Sequence, residues 1–154
     1  MKSLVLQLLQ AVSRIHSQWI IDRDLKTSNL LLNNCGVLKV ADFGLARLYG
    51  ESSQSLNIQG SSQQVQMTNL VGTLWYHAPK PLLGANIYDG TVDMWSVRCI
   101  LADMVFQKPL FTGRNEADQL AQICCKCGPS SKTSWPQLAQ IAAVSRDACV
   151  HLRR

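Results

Sequence analysis

The run Ile20-Ile21-Asp22-Arg23-Asp24-Leu25-Lys26-Thr27-Ser28-Asn29-Leu30-Leu31-Leu32 sets five charged or amide side chains between two short apolar segments. Apolar runs of this length, bounded by polar turn residues, read as brief strands with a loop between them. A third run, Val37-Leu38-Lys39-Val40, follows the polar turn Asn33–Gly36 and predicts a hairpin. Trp19 extends the first run at its start.

Helices are expected on either side of this core. Over residues 1–18, Met1, Leu4, Val5, Leu8, Leu9, Val12 and Ile15 recur at three- and four-residue steps, as on a core-facing helix. No Ser, Asp or Pro introduces that helix, so the chain is expected to open partway along an element. Residues 91–106 are apolar on nearly every side, which predicts a buried helix. Another runs from Glu116 to Cys127 and stops at Gly128-Pro129. Between the hairpin and residues 91–106 lies a Ser-, Gln- and Gly-rich stretch, residues 50–66, that reads as a long loop.

The 154 residues are 47% hydrophobic and 16% charged, the composition of one globular domain. The net charge of +5 is dispersed, with Arg153-Arg154 the one adjacent basic pair, so no nucleic-acid stripe and no membrane-binding face is expected. Apolar runs break well short of the ~18 residues of a membrane span. Met1-Lys2 and the leucines after it faintly resemble a signal peptide, but Gln7, Gln10, Arg14 and His16 interrupt the run. The six cysteines lie mostly in apolar helical stretches and read as reduced thiols. Cys124 and Cys127 form a Cys-x-x-Cys pair, yet no second half of a zinc site accompanies them, so buried or incidental thiols are expected. Trp19, Trp75, Trp95 and Trp135 read as packing residues and Asp93 as an internal hydrogen-bond acceptor holding the loop of residues 22–29.

Taken alone, Asp24 and Asn29 could equally close a turn through side-chain to backbone hydrogen bonds. Their context adds to that: Asp22 through Asn29 is followed by Asp42-Phe43-Gly44, then Ala78-Pro79, then Asp93-Met94-Trp95. This order and spacing resembles the catalytic half of a eukaryotic Ser/Thr protein kinase. Leu25 through Leu32, Thr73-Leu74-Trp75-Tyr76 and Gln107-Lys108-Pro109-Leu110-Phe111 are most similar to cyclin-dependent kinases of the PITSLRE-type branch. The resemblance covers residues 1–136 and implies a fold of the α+β class, mainly α-helical, corresponding to a truncated kinase C-terminal lobe. Residues 137–154 form an unassigned tail.

Transfer of a γ-phosphoryl group rests mainly on positioning and charge neutralisation. The resemblance implies that Asp24 orients the acceptor hydroxyl and Lys26 stabilises the transferring group. Asn29 and Asp42 would supply hard oxygen ligands to Mg²⁺ that accompanies ATP. It also places Thr68 as an activating phosphothreonine, with an unmodified loop threonine as the alternative. Arg23 and Arg47 would grip that phosphate. Thr73 would position the segment and substrate. The implied partner is a protein substrate, and the implied location the nucleus or cytoplasm, the nucleus by resemblance only.

Departures from the pattern qualify these expectations. Asp22 replaces the family's catalytic-loop histidine, removing its ring packing against Phe43 and bringing a carboxylate close to Asp24 and Asp42, where like charges raise pKa values. Ala78-Pro79-Lys80 has lost the acid of an anchoring ion pair, and His77 stands in place of an arginine. Arg98 replaces a glycine on the buried helix, which is costly unless the guanidinium reaches water. Gly72 replaces a valine tied to preference for proline beside the phosphorylated residue, so that preference is not carried over. Neither the Gly-rich phosphate loop nor the ATP lysine is present, nor the cyclin-contacting helix. This puts ATP and Mg²⁺ binding, cyclin binding and catalysis by the isolated chain in doubt. The alternative is a non-catalytic, pseudokinase-like interaction module or a degraded gene product.

Overall fold

The computed structural model describes residues 1–49, 73–85 and 89–128. Expectations for residues 50–66, Thr68, Gly72, Trp135 and the tail 137–154 lie outside these residues.

Helix α1 spans Lys2–His16 with Met1 as an N-cap that makes no side-chain cap bond. Its inward stripe centres on Leu8 and Val12, both almost fully buried, whereas Met1 and Leu9 of the predicted stripe are exposed. The stripe is therefore narrower than the periodicity indicates. The chain then turns at Trp19, whose φ of +58° lies in the left-handed region. It enters strand β1, Ile20–Ile21. Trp19 meets Tyr49 edge-on yet is 44% exposed, so the expectation of a packing tryptophan holds only for one edge of its ring.

A 3₁₀ turn over Thr27–Asn29 leads into β2, Leu30–Leu32, which pairs antiparallel with β3, Leu38–Val40. Asn33 closes the hairpin by accepting the Cys35 and Val37 amides on Oδ1 at 3.0 and 2.9 Å. Gly36 supplies the positive φ of +76° that such a turn favours. Gln7 ties this hairpin to α1, donating to the Gly36 carbonyl at 3.1 Å and accepting the Leu38 amide at 2.9 Å. A further strand, β4, Arg47–Leu48, pairs with β1. At two residues it is too short for alternation to reveal in sequence.

A second 3₁₀ turn, Leu74–Tyr76, precedes the short helix α2, Pro79–Leu82. Helix α3, Thr91–Phe106, buries Val92, Asp93, Ser96, Val97, Cys99 and Ile100. The prediction that α3 is enclosed on nearly every side is corrected: Arg98, Leu101, Val105 and Phe106 face out. The guanidinium of Arg98 consequently needs no buried partner. Helix α4, Glu116–Cys127, starts at Asn115, whose side chain accepts the Asp118 amide at 2.9 Å, and ends at Gly128 as expected.

The main core gathers Leu8, Val12, Leu25, Leu38, Val97, Ile100, Phe111 and Ile123 from α1, the 22–29 loop, β3, α3, the segment between α3 and α4, and α4. Trp95 stacks on Phe111 with ring centroids 6.1 Å apart. Thus Leu25, in the middle of the polar run, anchors that run to the core while its neighbours face the site. No described helix is long and apolar enough to cross a membrane.

Candidate active site

The polar run is held from beneath by Asp93, near the start of α3. One carboxylate oxygen, Oδ1, accepts the Arg23 backbone N–H at 2.9 Å. The other, Oδ2, accepts the Asp22 backbone N–H at 2.9 Å and pairs with His16 Nε2 at 2.8 Å. Asp93 is 1% exposed, so these bonds replace water almost completely. The expectation that Asp93 is an internal acceptor for this loop holds. The part of His16 was not legible, because 77 residues separate it from Asp93 and no periodicity links them. Gly90 permits the approach, since a Cβ there would lie 2.7 Å from the His16 ring.

Above that clamp, Arg23 adopts φ of +73°, an uncommon conformation for a residue with a side chain. The turn aims Asp24 and Lys26 at each other, with Nζ to Oδ2 at 2.7 Å. Asn29, itself buried, donates from Nδ2 to the Asp24 carbonyl at 3.1 Å, crossing the loop. Asp24, Lys26 and Asn29 are thereby brought together.

Asp42 also has a left-handed φ, +64°, and its carboxylate is exposed, with Oδ1 accepting the Gly44 amide at 3.2 Å. The neighbouring Ala41 amide donates to the Asn29 carbonyl at 2.9 Å, so the two segments meet side by side. Because Asn29 uses its amide nitrogen on the loop, its Oδ1 remains an acceptor. Asn29 Oδ1 and the Asp42 carboxylate, on these adjoining segments, are hard oxygen donors of the chemical kind Mg²⁺ takes alongside water and phosphate oxygens. Among the described residues, no cluster of three or more His, Cys, Asp or Glu side chains is arranged to hold a metal.

Asp22 is buried, and the charges of Asp24 and Asp42 act on it, as expected for a carboxylate close to both. Its Oδ1 accepts the Asp24 amide at 3.1 Å, while Oδ2 has no hydrogen-bond partner among the described residues. Burial pushes its carboxyl up to about 6, and the charges of Asp93, Asp24 and Asp42 add to the effect, with the Asp24 amide opposing it. Phe43, whose ring lacks a histidine to pack on, is 48% exposed.

The two candidate phosphate-gripping arginines lie near one another, because Ile21 pairs with Arg47 across the β1–β4 ladder. Arg23 is buried and donates from Nε to the Leu45 carbonyl at 2.7 Å; Arg47 is exposed. Thr73 directly precedes the Leu74–Tyr76 turn without a side-chain capping bond and is exposed, with no hydrogen bond to Asp24 or Lys26 among the described residues. His77 is buried with neither ring nitrogen partnered among the described residues. Burial holds its pKa below the ordinary value, with nearby Asp24 opposing and Lys26 reinforcing that shift.

A family model described as "Protein kinase domain" matches residues 1–152. Cyclin-dependent kinase 11B of Homo sapiens is 46% identical over 145 residues, covering 94% of this chain and 17% of the relative. Cyclin-dependent kinase G1 of Arabidopsis thaliana is 47% identical over 135 residues, covering 88% and 20% respectively. Among solved structures, that of the yeast RNA Pol II CTD kinase CTDK-1 complex superposes with a TM-score of 0.80 at 36% identity, covering 92% of this chain and 42% of that one. The chain thus spans about a fifth of the length of these two curated relatives.

Proposed function

The chain belongs to the protein kinase family, as a Ser/Thr member of the cyclin-dependent kinase type, and from that premise we propose that its loop carries the chemistry of γ-phosphoryl transfer from ATP to protein serine or threonine. The observation that carries this reading is the 2.7 Å pair of Asp24 and Lys26, braced by Asn29 and clamped by Asp93. In this reading Asp24 orients the acceptor hydroxyl and takes its proton. Lys26 offsets the charge that develops on the transferring group. Asn29 and Asp42 hold Mg²⁺, which when bound neutralises phosphate charge. Residues 1–136 act as a partial kinase domain of the C-terminal-lobe type, with 137–154 as a tail. Thr68, if phosphorylated, is gripped by Arg23 and Arg47, and Thr73 positions the segment.

These 154 residues contain no Gly-rich phosphate loop and no ATP lysine, the parts that hold the nucleotide in the family. By themselves they do not turn over ATP; protein substrate and cyclin belong to the longer family members. The Asp22 oxygen, without a partner among the described residues, and Lys80 favour a second reading, a non-catalytic module that docks a substrate or partner through residues 68–80 and the helices.

Titration with Mn²⁺, a paramagnetic stand-in for Mg²⁺, tests the ligand assignment apart from activity. Selective broadening of the Asn29 and Asp42 NMR signals, abolished in Asp42→Asn, is expected. Broadening spread evenly over exposed carboxylates would remove the metal from the reading.

A further inference from the structure

A second polar chain leaves the catalytic loop at Thr27. Thr27 Oγ1 lies 2.8 Å from the Tyr76 hydroxyl, and that hydroxyl donates to Asp103 Oδ2 at 2.6 Å. The other oxygen of Asp103 accepts the Leu110 amide at 3.1 Å. Tyr76 itself is anchored by its carbonyl, which accepts the Ser96 hydroxyl at 2.8 Å. Four segments therefore meet on one phenol and one carboxylate: the catalytic loop, the turn before α2, the body of α3 and the turn after it.

Counting protons settles the direction of every bond in this chain. An ionised carboxylate only accepts, so the single phenolic proton is committed to Asp103. The phenol oxygen must then accept from Thr27, which commits the threonine proton as well. Each bond polarises the next, and the end of the series is charge-assisted at a short distance. Burial together with the Asp103 bond pushes the phenol up to about 12, so it stays protonated and the direction does not reverse.

Thr27 directly follows Lys26 and opens the 3₁₀ turn in which the Asn29 amide donates to the Lys26 carbonyl at 3.0 Å. We infer that Tyr76 and Asp103 are positioning residues for Lys26 and Asn29, setting the turn that presents both from α3 through the Thr27 hydroxyl. This rests on the roles given to Lys26 and Asn29 above. Asp93 fixes the start of the catalytic loop and Asp103 its end, so two acids ten residues apart on one helix define the loop from both sides. The shared carboxylate also makes the Gln107–Leu110 turn part of the same device.

The test is NMR on the full chain, reading hydrogen exchange of the Lys26 ammonium at Asp24 and of the Asn29 amide. Tyr76→Phe keeps the ring and removes the phenol, and Thr27→Val keeps the shape and removes the proton. Each is expected to accelerate exchange at both positions by at least about fivefold, as loss of one net hydrogen bond implies. Thr27→Ser, which restores the donor, is expected to return both to the unsubstituted rates. Should Tyr76→Phe fail to fold, the Val and Ser variants at Thr27 decide alone. Unchanged exchange in Thr27→Val, or equal acceleration in Thr27→Ser, overturns the inference. The readout involves no nucleotide, so absence of phosphoryl transfer leaves this inference standing, whereas unchanged Lys26 exchange sinks it without touching the kinase reading.

Discussion

Asp93 holds the backbone of Arg23 in a left-handed turn, accepting its N–H at 2.9 Å while φ stands at +73°. A non-glycine residue in that region costs of order 1 kcal/mol or more and persists only where its surroundings determine it. Here one carboxylate determines it, and the same carboxylate orders Asp22 and His16. The geometry of Asp24 and Lys26 follows from a buried acid that touches neither side chain.

Asp93→Asn tests that dependence. An amide presents one acceptor where the carboxylate presents two, and its NH₂ faces buried donors. The expected loss is about 3 kcal/mol in urea-induced unfolding, with rapid exchange at the Asp22 and Arg23 amides. A loss near zero would mean that the loop holds itself.

Asp22 gives the protein an unusual pH response. A tenfold change in proton affinity is worth about 1.4 kcal/mol, so a carboxyl carried from 3.8 to about 6 costs the folded state about 3 kcal/mol once ionised. Between those values the folded state holds a proton that the unfolded state has released, so stability from this group is full below 3.8 and lost as pH rises through 6. Asp22→Asn should therefore be more stable than the parent at pH 7.5 by up to that amount, and the difference should vanish near pH 4. Thermal unfolding at both pH values measures it; a constant difference would contradict the account.

His77 has the opposite slope. Burial disfavours its charged form, so below its ordinary value the unfolded state gains a proton that the folded state refuses, and stability falls with acid. His77→Phe should flatten the acid limb between pH 7 and 5 relative to the parent, measured in the same unfolding series.

Gly113 is a steric requirement. A Cβ there would fall 2.5 Å from the backbone Cα of Gln119, and its amide donates to Gln119 Oε1 at 2.9 Å. Gly113→Ala must displace the loop before α4, and a loss of about 1–3 kcal/mol is expected, in the range of overpacked sites. A stability equal to the parent would show that the loop moves freely.

Sequence alone carried the three longer helices and the hairpin, because periodicity is a local signal, and motif order pointed to Asp24, Lys26 and Asn29, which the loop brings together. It could not carry Asp93 to His16 or Tyr76 to Asp103, which join residues 77 and 27 positions apart through single side chains. The outward turn of Arg98 was hidden for a related reason. Hydropathy made α3 look uniformly buried, but which of its apolar residues face out depends on what packs against each side. Two-residue β4 is fixed by its partner β1, a long-range cause with no local trace.

That these residues hold a preorganised phosphoryl-transfer loop, without the parts that hold nucleotide in the family, is our proposal. Its most direct test is incubation of the purified chain with labelled ATP, Mg²⁺ and a generic protein acceptor, beside an Asp24→Asn control. The account predicts label incorporation equal to that of the control. Transfer above the control, dependent on Asp24, would contradict it.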